Sequence, residues 1–118
     1  MKVMISQPMN GIPDNEVLKL RNDIIKKAFK MGIVIVDSFD TSKVKDSKHP
    51  GVYYLGRTLM NHLHDVDAVY FAGNWRAARG CRIEFAICQE YGIKILPENF
   101  FDEPNPAPIM NTGLVRGE

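Results

Sequence analysis

Short apolar runs and helix-length amphipathic stretches alternate along the chain. Residues 2–5 are the first such run, broken by Ser6, Gln7, Pro8, Met9, Asn10 and Gly11, the pattern of a strand that ends in a loop. Pro13 then opens a helix with Asp14 and Glu16 in its first turn, Lys26, Lys27 and Lys30 near its end and Gly32 just past it, an order that suits the helix dipole. Val17, Leu20, Ile24 and Ala28 fall on one face of this helix, beside Leu18, Ile25 and Phe29. Ile33, Val34, Ile35 and Val36 follow as a β-branched run without polar alternation, which predicts a strand covered on both faces. Residues 41–51 carry Lys43, Lys45 and Lys48 with little to bury, and predict a mobile surface loop. A helix over 52–64, a strand over 68–72, a helix from about Cys81 to Tyr91 stopped by Gly92, and a strand over 93–96 ended by Pro97 complete the pattern.

The order β-α-β-α-β-α-β, with helix-length crossovers, demands a parallel sheet between two helical layers. The predicted fold is therefore α/β and flavodoxin-like, three layers α/β/α with strand order 2-1-3-4. Residues 1–97 form its domain, and residues 98–118 a C-terminal extension, an arm that packs on the domain or on a neighbouring subunit. Ligands of such sheets bind beyond the carboxyl ends of the strands, where the strand order reverses. Residues 6–11, 37–39 and 73–82 converge there. Asp65 and Asp67 precede the third strand, lie at the opposite end, and read as a turn and the start of a strand.

Composition narrows the partners. Fifteen Lys and Arg against fourteen Asp and Glu give a net charge of +1, too little field to gather a nucleic-acid polymer or an anionic membrane. Two cysteines, Cys81 and Cys88, are too few for a disulfide framework and point to a reducing, cytoplasmic setting. No run approaches the roughly 18 apolar residues of a membrane span, and no signal-peptide pattern opens the chain. His49, His62 and His64 make no ligand set, so neither a metal nor another cofactor is expected.

Glu84 is the most informative residue. With Arg82, Gln89 and Glu90 marking the solvent side of the third helix, Glu84 lies nearly opposite them, among Ile83, Ile87, Cys88 and Tyr91. Two accounts fit a carboxylate there. It folds back onto the free amides of the first turn, or it stands in the crevice as a desolvated anion able to attack an electrophilic carbon. Arg79, Gly80 and Arg82 at the helix start suit a phosphate, or are ordinary surface residues. Trp75 either stacks on a base or roofs the core. Cys81, at a helix start between arginines, is a candidate reactive thiol.

Residues 2–11, 37–39 and 49–56, together with Asp67 to Phe71, Gly73-Asn74-Trp75, Ala78-Arg79-Gly80-Cys81-Arg82-Ile83-Glu84 and Gly92-Ile93, resemble a family of small bacterial and phage-encoded proteins related to nucleoside 2-deoxyribosyltransferases. The resemblance runs to Leu96. It implies a flavodoxin-like fold and Glu84 as the nucleophile that attacks the anomeric carbon of a deoxyribosyl group and expels the base. It implies a small-molecule nucleoside or nucleotide as partner. Ser6, Gln7 and Asn10 would hold sugar hydroxyls or phosphate, Trp75 the base, and Pro8, Met9, Gly11, Ser38, Gly73, Asn74, Arg79, Gly80 and Cys81 would line the pocket. It also implies a homo-oligomer in which a neighbour completes each pocket, with residues 105–110 able to dock on that neighbour. One feature departs from the pattern: where those enzymes carry an aspartate that assists the leaving base, the chain reads Thr58-Leu59-Met60-Asn61-His62-Leu63. Asn61, His62 or Asp37 would have to serve. The alternatives are a nucleotide-binding sensor or sequestering protein without turnover, and a thiol protein using Cys81.

Overall fold

The computed structural model describes residues 1–40, 42–44 and 46–102. Four strands, β1 (Lys2–Ser6), β2 (Val34–Ile35), β3 (Ala68–Phe71) and β4 (Lys94–Ile95), alternate with three helices, α1 (Asp14–Lys30), α2 (Pro50–Asn61) and α3 (Arg79–Tyr91). The sheet is parallel throughout, in the order β2-β1-β3-β4, as the alternation of elements predicts. Short 3-10 turns at Leu63–Asp65, Trp75–Ala77 and Phe100–Asp102 complete the described chain. None of its helices is long and apolar enough to cross a membrane.

Strand alternation sorts the core into two layers. Val3 and Ile5 of β1, with Ala68 and Tyr70 of β3, meet Ile24 and Ala28 of α1. Met4, Val69 and Phe71 point the other way, onto Cys81 and Cys88 of α3, with Leu59 of α2 against the same cluster. Phe101 closes the α1 side, its ring 4.8 Å edge-on from Tyr70, whose hydroxyl donates to the Glu98 carbonyl at 2.7 Å. Residues 103–118 of the predicted arm, including 105–110, lie outside the described residues.

Several boundaries differ from expectation, each for a local reason. The second strand is only Val34–Ile35 and is not covered on both faces: it bonds to β1 alone, and Val34 is 62% exposed. An edge position, which a β-branched run cannot announce, explains this. Helix α2 starts at Pro50, suited to a first turn, and stops at Asn61, with Leu63–Asp65 as a separate tight turn. On α1 the buried row is Val17, Arg21, Ile24 and Ala28, whereas Leu20, expected in the core, is 37% exposed. Asp65 ends a tight turn and Asp67 precedes β3, as expected, and both also hold the start of β1: Lys2 Nζ donates to Asp65 and the Lys2 amide to Asp67, each at 2.7 Å.

Candidate active site

The site begins with the parity of β1. Residues that follow Met4 and Ile5 keep alternating, so Ser6 turns to the α3 layer and Gln7 to the α1 layer, both buried. Each meets a charged side chain on its own side.

On the α3 side the Ser6 hydroxyl donates to Glu84 Oε1 at 2.6 Å. Glu84 is half-buried, with Cys81 one turn before it and Cys88 one turn after. Burial pushes its carboxyl above the usual carboxylate range, and the Ser6 bond offsets this only in part. Among the described residues the ion pairs are Lys2–Asp65, Lys27–Asp23, Lys27–Asp102, Arg57–Asp40 and Arg76–Glu98; Glu84 is in none of them. The helix begins at Arg79, two residues earlier than predicted, so Glu84 stands in its second turn and no side chain caps the start. The account in which Glu84 folds onto the free amides of the first turn is thereby corrected.

The thiols beside it are both buried. Burial raises the Cys81 pKa, the Ser6 hydroxyl opposing and the Glu84 charge adding; Cys88 is pushed up to about 11, again by burial first. Burial thus works against the thiolate that a candidate reactive thiol at Cys81 needs, and the Arg82 charge only partly opposes it.

On the α1 side, Gln7 joins Arg21, a residue the sequence reading passed over. Arg21 is 4% exposed. Its Nε donates to Gln7 Oε1 at 3.0 Å and its Nη1 to Ser38 Oγ at 3.3 Å, while Gln7 Nε2 donates to the Val17 carbonyl at 3.2 Å. The Phe39 ring lies 5.8 Å from the guanidinium. Burial lowers the Arg21 pKa and the nearby Asp37 charge opposes it. Both ends of the Gln7 amide thus bond within the fold, tying it to Arg21 and Val17 of α1. Arg21 and Asp37 belong to the α1 side, across β1 from Glu84.

The remaining predicted residues divide by place. Pro8 is half-buried and Met9, Asn10 and Gly11 are exposed in the loop after β1; Gly73, Asn74, Arg79 and Gly80 are exposed after β3. Gly73 has φ +65, a left-handed conformation that favours glycine, although a Cβ there would meet Leu20 and Pro8 only at ordinary contact distance. Gly80 has no such need: it lies inside α3 with open space where a Cβ would be. Arg79 reaches the start of α2, its Nη2 3.5 Å from where a Gly51 Cβ would sit. Trp75 is committed to the core, stacked 4.7 Å from Phe85 with the Arg76 guanidinium 4.5 Å from its ring, and its buried Nε1 has no partner. Neither ring face is open to a base. Asn61 is exposed at the last residue of α2, whose chain runs through Leu63–Asp65 to the start of β3. That is the far end of the sheet, and neither Asn61 nor His62 is brought to Glu84.

Two surface cavities lie near these elements. One of about 180 Å³ lies between α1 and the end of β3, lined by Leu20, Asp23, Phe71, Gly73, Trp75 and Glu98 among others. The other, of about 370 Å³, follows the outward side of α3. Glu84 lines neither of these two.

Comparison with known proteins gives a family. The family described as Domain of unknown function (DUF4406) matches residues 1–97, and the chain belongs to it. No curated protein and no solved structure matches the chain.

Proposed function

We propose, for this member of the DUF4406 family, an N-glycosidase or 2-deoxyribosyltransferase activity on a nucleoside or nucleotide, with Glu84 as nucleophile. One observation carries the reading: a half-buried carboxylate with a single hydroxyl donor and no cation, at the carboxyl ends of β1 and β3. A purely structural glutamate at such a position is normally paired or fully hydrogen-bonded. Here Ser6 holds Oε1, whereas Oε2 is not among the sealed, unpartnered atoms of the described residues and so is open to solvent or to a ligand. In the proposed reaction Oε2 forms a bond to the anomeric carbon as the bond from that carbon to the base nitrogen breaks. The base leaves with the electron pair and takes up a proton, and water or a second base then resolves the glycosyl ester. Attack consumes the buried negative charge, so burial that disfavours the free carboxylate favours the step. The exposed residues Asn10, Asn74 and Arg79 border this end of the sheet and are the groups offered to sugar or phosphate.

A second reading, a nucleotide-binding protein without turnover, is favoured by the position of Asp37 beside Arg21 on the other side of β1. Retaining glycosidases hold two carboxyl groups about 5–5.5 Å apart, whereas the Asp37 charge acts on Arg21 and is not among the influences on Glu84. Incubation with a panel of deoxynucleosides and deoxynucleoside monophosphates, alone and with free bases, tests the pair of readings. Base release or exchange that disappears in Glu84→Gln supports the enzyme. Binding without turnover, unchanged in that variant, supports the second reading, and activity retained in Glu84→Ala ends the nucleophile assignment.

A further inference from the structure

Arg21 is a buried cation that meets no anion within ion-pair reach. It stands in the second turn of α1, 4% exposed, and belongs to none of the ion pairs among the described residues. A charge at that depth is normally matched by an opposite one, because neutral hydrogen bonds alone do not replace lost hydration. Asp37 acts on it only as a field, from an exposed position and outside any ion pair. Two of the three guanidinium nitrogens are held: Nε donates to Gln7 Oε1 and Nη1 to Ser38 Oγ. Nη2 is not among the sealed, unpartnered atoms of the described residues, and so is open to solvent or to a ligand.

The groups around that nitrogen suit an anion. Ser38 accepts from Arg21, and its own hydroxyl proton goes to no described residue, so it remains a donor. Gln7 follows β1 directly and Ser38 lies three residues past β2. The guanidinium is therefore held at the carboxyl ends of two parallel strands, where ligands of such sheets bind. Its two bonds, with the Phe39 ring 5.8 Å away, leave the planar fork little freedom to lose when a further partner arrives. We propose that Arg21 Nη2 and the Ser38 hydroxyl form a subsite for the terminal oxyanion of a small molecule, a phosphate monoester or a carboxylate. The bound oxyanion accepts from both groups and supplies the negative charge that Arg21 lacks within the fold. Asp37 weakens the subsite without filling it, because its charge repels the incoming anion.

An amide NMR titration of the full chain at low ionic strength tests this, with inorganic phosphate in one arm and acetate in the other to separate the two sources. The wild type is expected to bind at least one of them with a Kd of about 1 mM or tighter, the shifts centred on Gln7, Ser38 and Phe39. Arg21→Lys is expected to weaken binding about tenfold or more, and Ser38→Ala about threefold or more. Asp37→Asn, at an exposed position, is expected to tighten it about threefold or more by removing the repulsion. The spectra report whether each variant is folded, and Ser38→Ala and Asp37→Asn decide the matter if Arg21→Lys is not. No binding of either ion at about ten times that concentration overturns the proposal. So does an affinity unchanged in folded Arg21→Lys, which would put the ion on surface lysines, or one not raised in Asp37→Asn. Neither ion can be turned over and none of these residues belongs to the Ser6–Glu84 pair, so this inference and the glycosidase reading fail separately.

Discussion

One sheet separates two charges that lie in the interior, and they are treated in opposite ways. Arg21, on the α1 side, is nearly inaccessible yet meets Gln7, Ser38, the Phe39 ring and the field of Asp37. Glu84, on the α3 side, is less deeply placed yet receives one hydroxyl. Depth alone therefore does not set how many partners a charge receives: the deeper Arg21 has more than the shallower Glu84. Arg21, on α1, bonds to neutral groups that follow β1 and β2, Gln7 and Ser38, which makes it a brace between these elements. Glu84 receives a single side-chain donor and its pKa is raised by burial, the setting on which the proposed nucleophile role rests.

The comparison breaks most visibly in turnover. Glu84→Gln is expected to lower base release by more than about a thousandfold, measured by chromatography of the released base. The same test on Arg21 separates the two roles in the other direction. Gln7→Leu removes the acceptor of Arg21 Nε and is expected to cost about 2–4 kcal/mol of stability, read from urea unfolding; a change within about 0.5 kcal/mol would deny Arg21 its bracing role. Ser6→Ala sharpens the Glu84 side. It is expected to cost about 1 kcal/mol and, by removing the one group that lowers the Glu84 pKa, to move the acid limb of the kcat/KM profile to higher pH.

The smallest effect is the most diagnostic of burial. Because the folded-state pKa of Glu84 is raised, the folded protein holds this proton more tightly than the unfolded chain. The favourable contribution is complete below the ordinary carboxylate range and is lost as pH rises through the raised value. Glu84→Gln is therefore expected to be more stable than the wild type at neutral pH, with the difference closing in acid. A constant difference at all pH values would mean that Glu84 is hydrated.

Much of this was legible in residue order. The alternation of apolar runs and amphipathic stretches specified the sheet order, and the helical spacing around Glu84 marked it as inward-facing. The same spacing marks Arg21, set between Val17 and Ala28 at intervals of four and seven, but a helical arginine reads as solvated unless its row is traced. Strand parity in β1 likewise separates Ser6 from Gln7, although both look like one polar loop after an apolar run. Other features had no local signal. Nothing in Ile33 to Val36 distinguishes an edge strand from a central one, and α3 starts at Arg79 after Ala78, which supplies no capping side chain. Trp75 follows a strand end as a ligand-stacking residue would, and only tertiary packing against Phe85 decides its use.

The two outermost strands are also the two shortest, each only a pair of residues long. A margin that brief offers too few free amides and carbonyls to template an incoming strand. The protein is thus guarded against fibril growth from either side of its sheet, even where Val34 faces water. Concentrated samples should accordingly gain no thioflavin signal while natively folded.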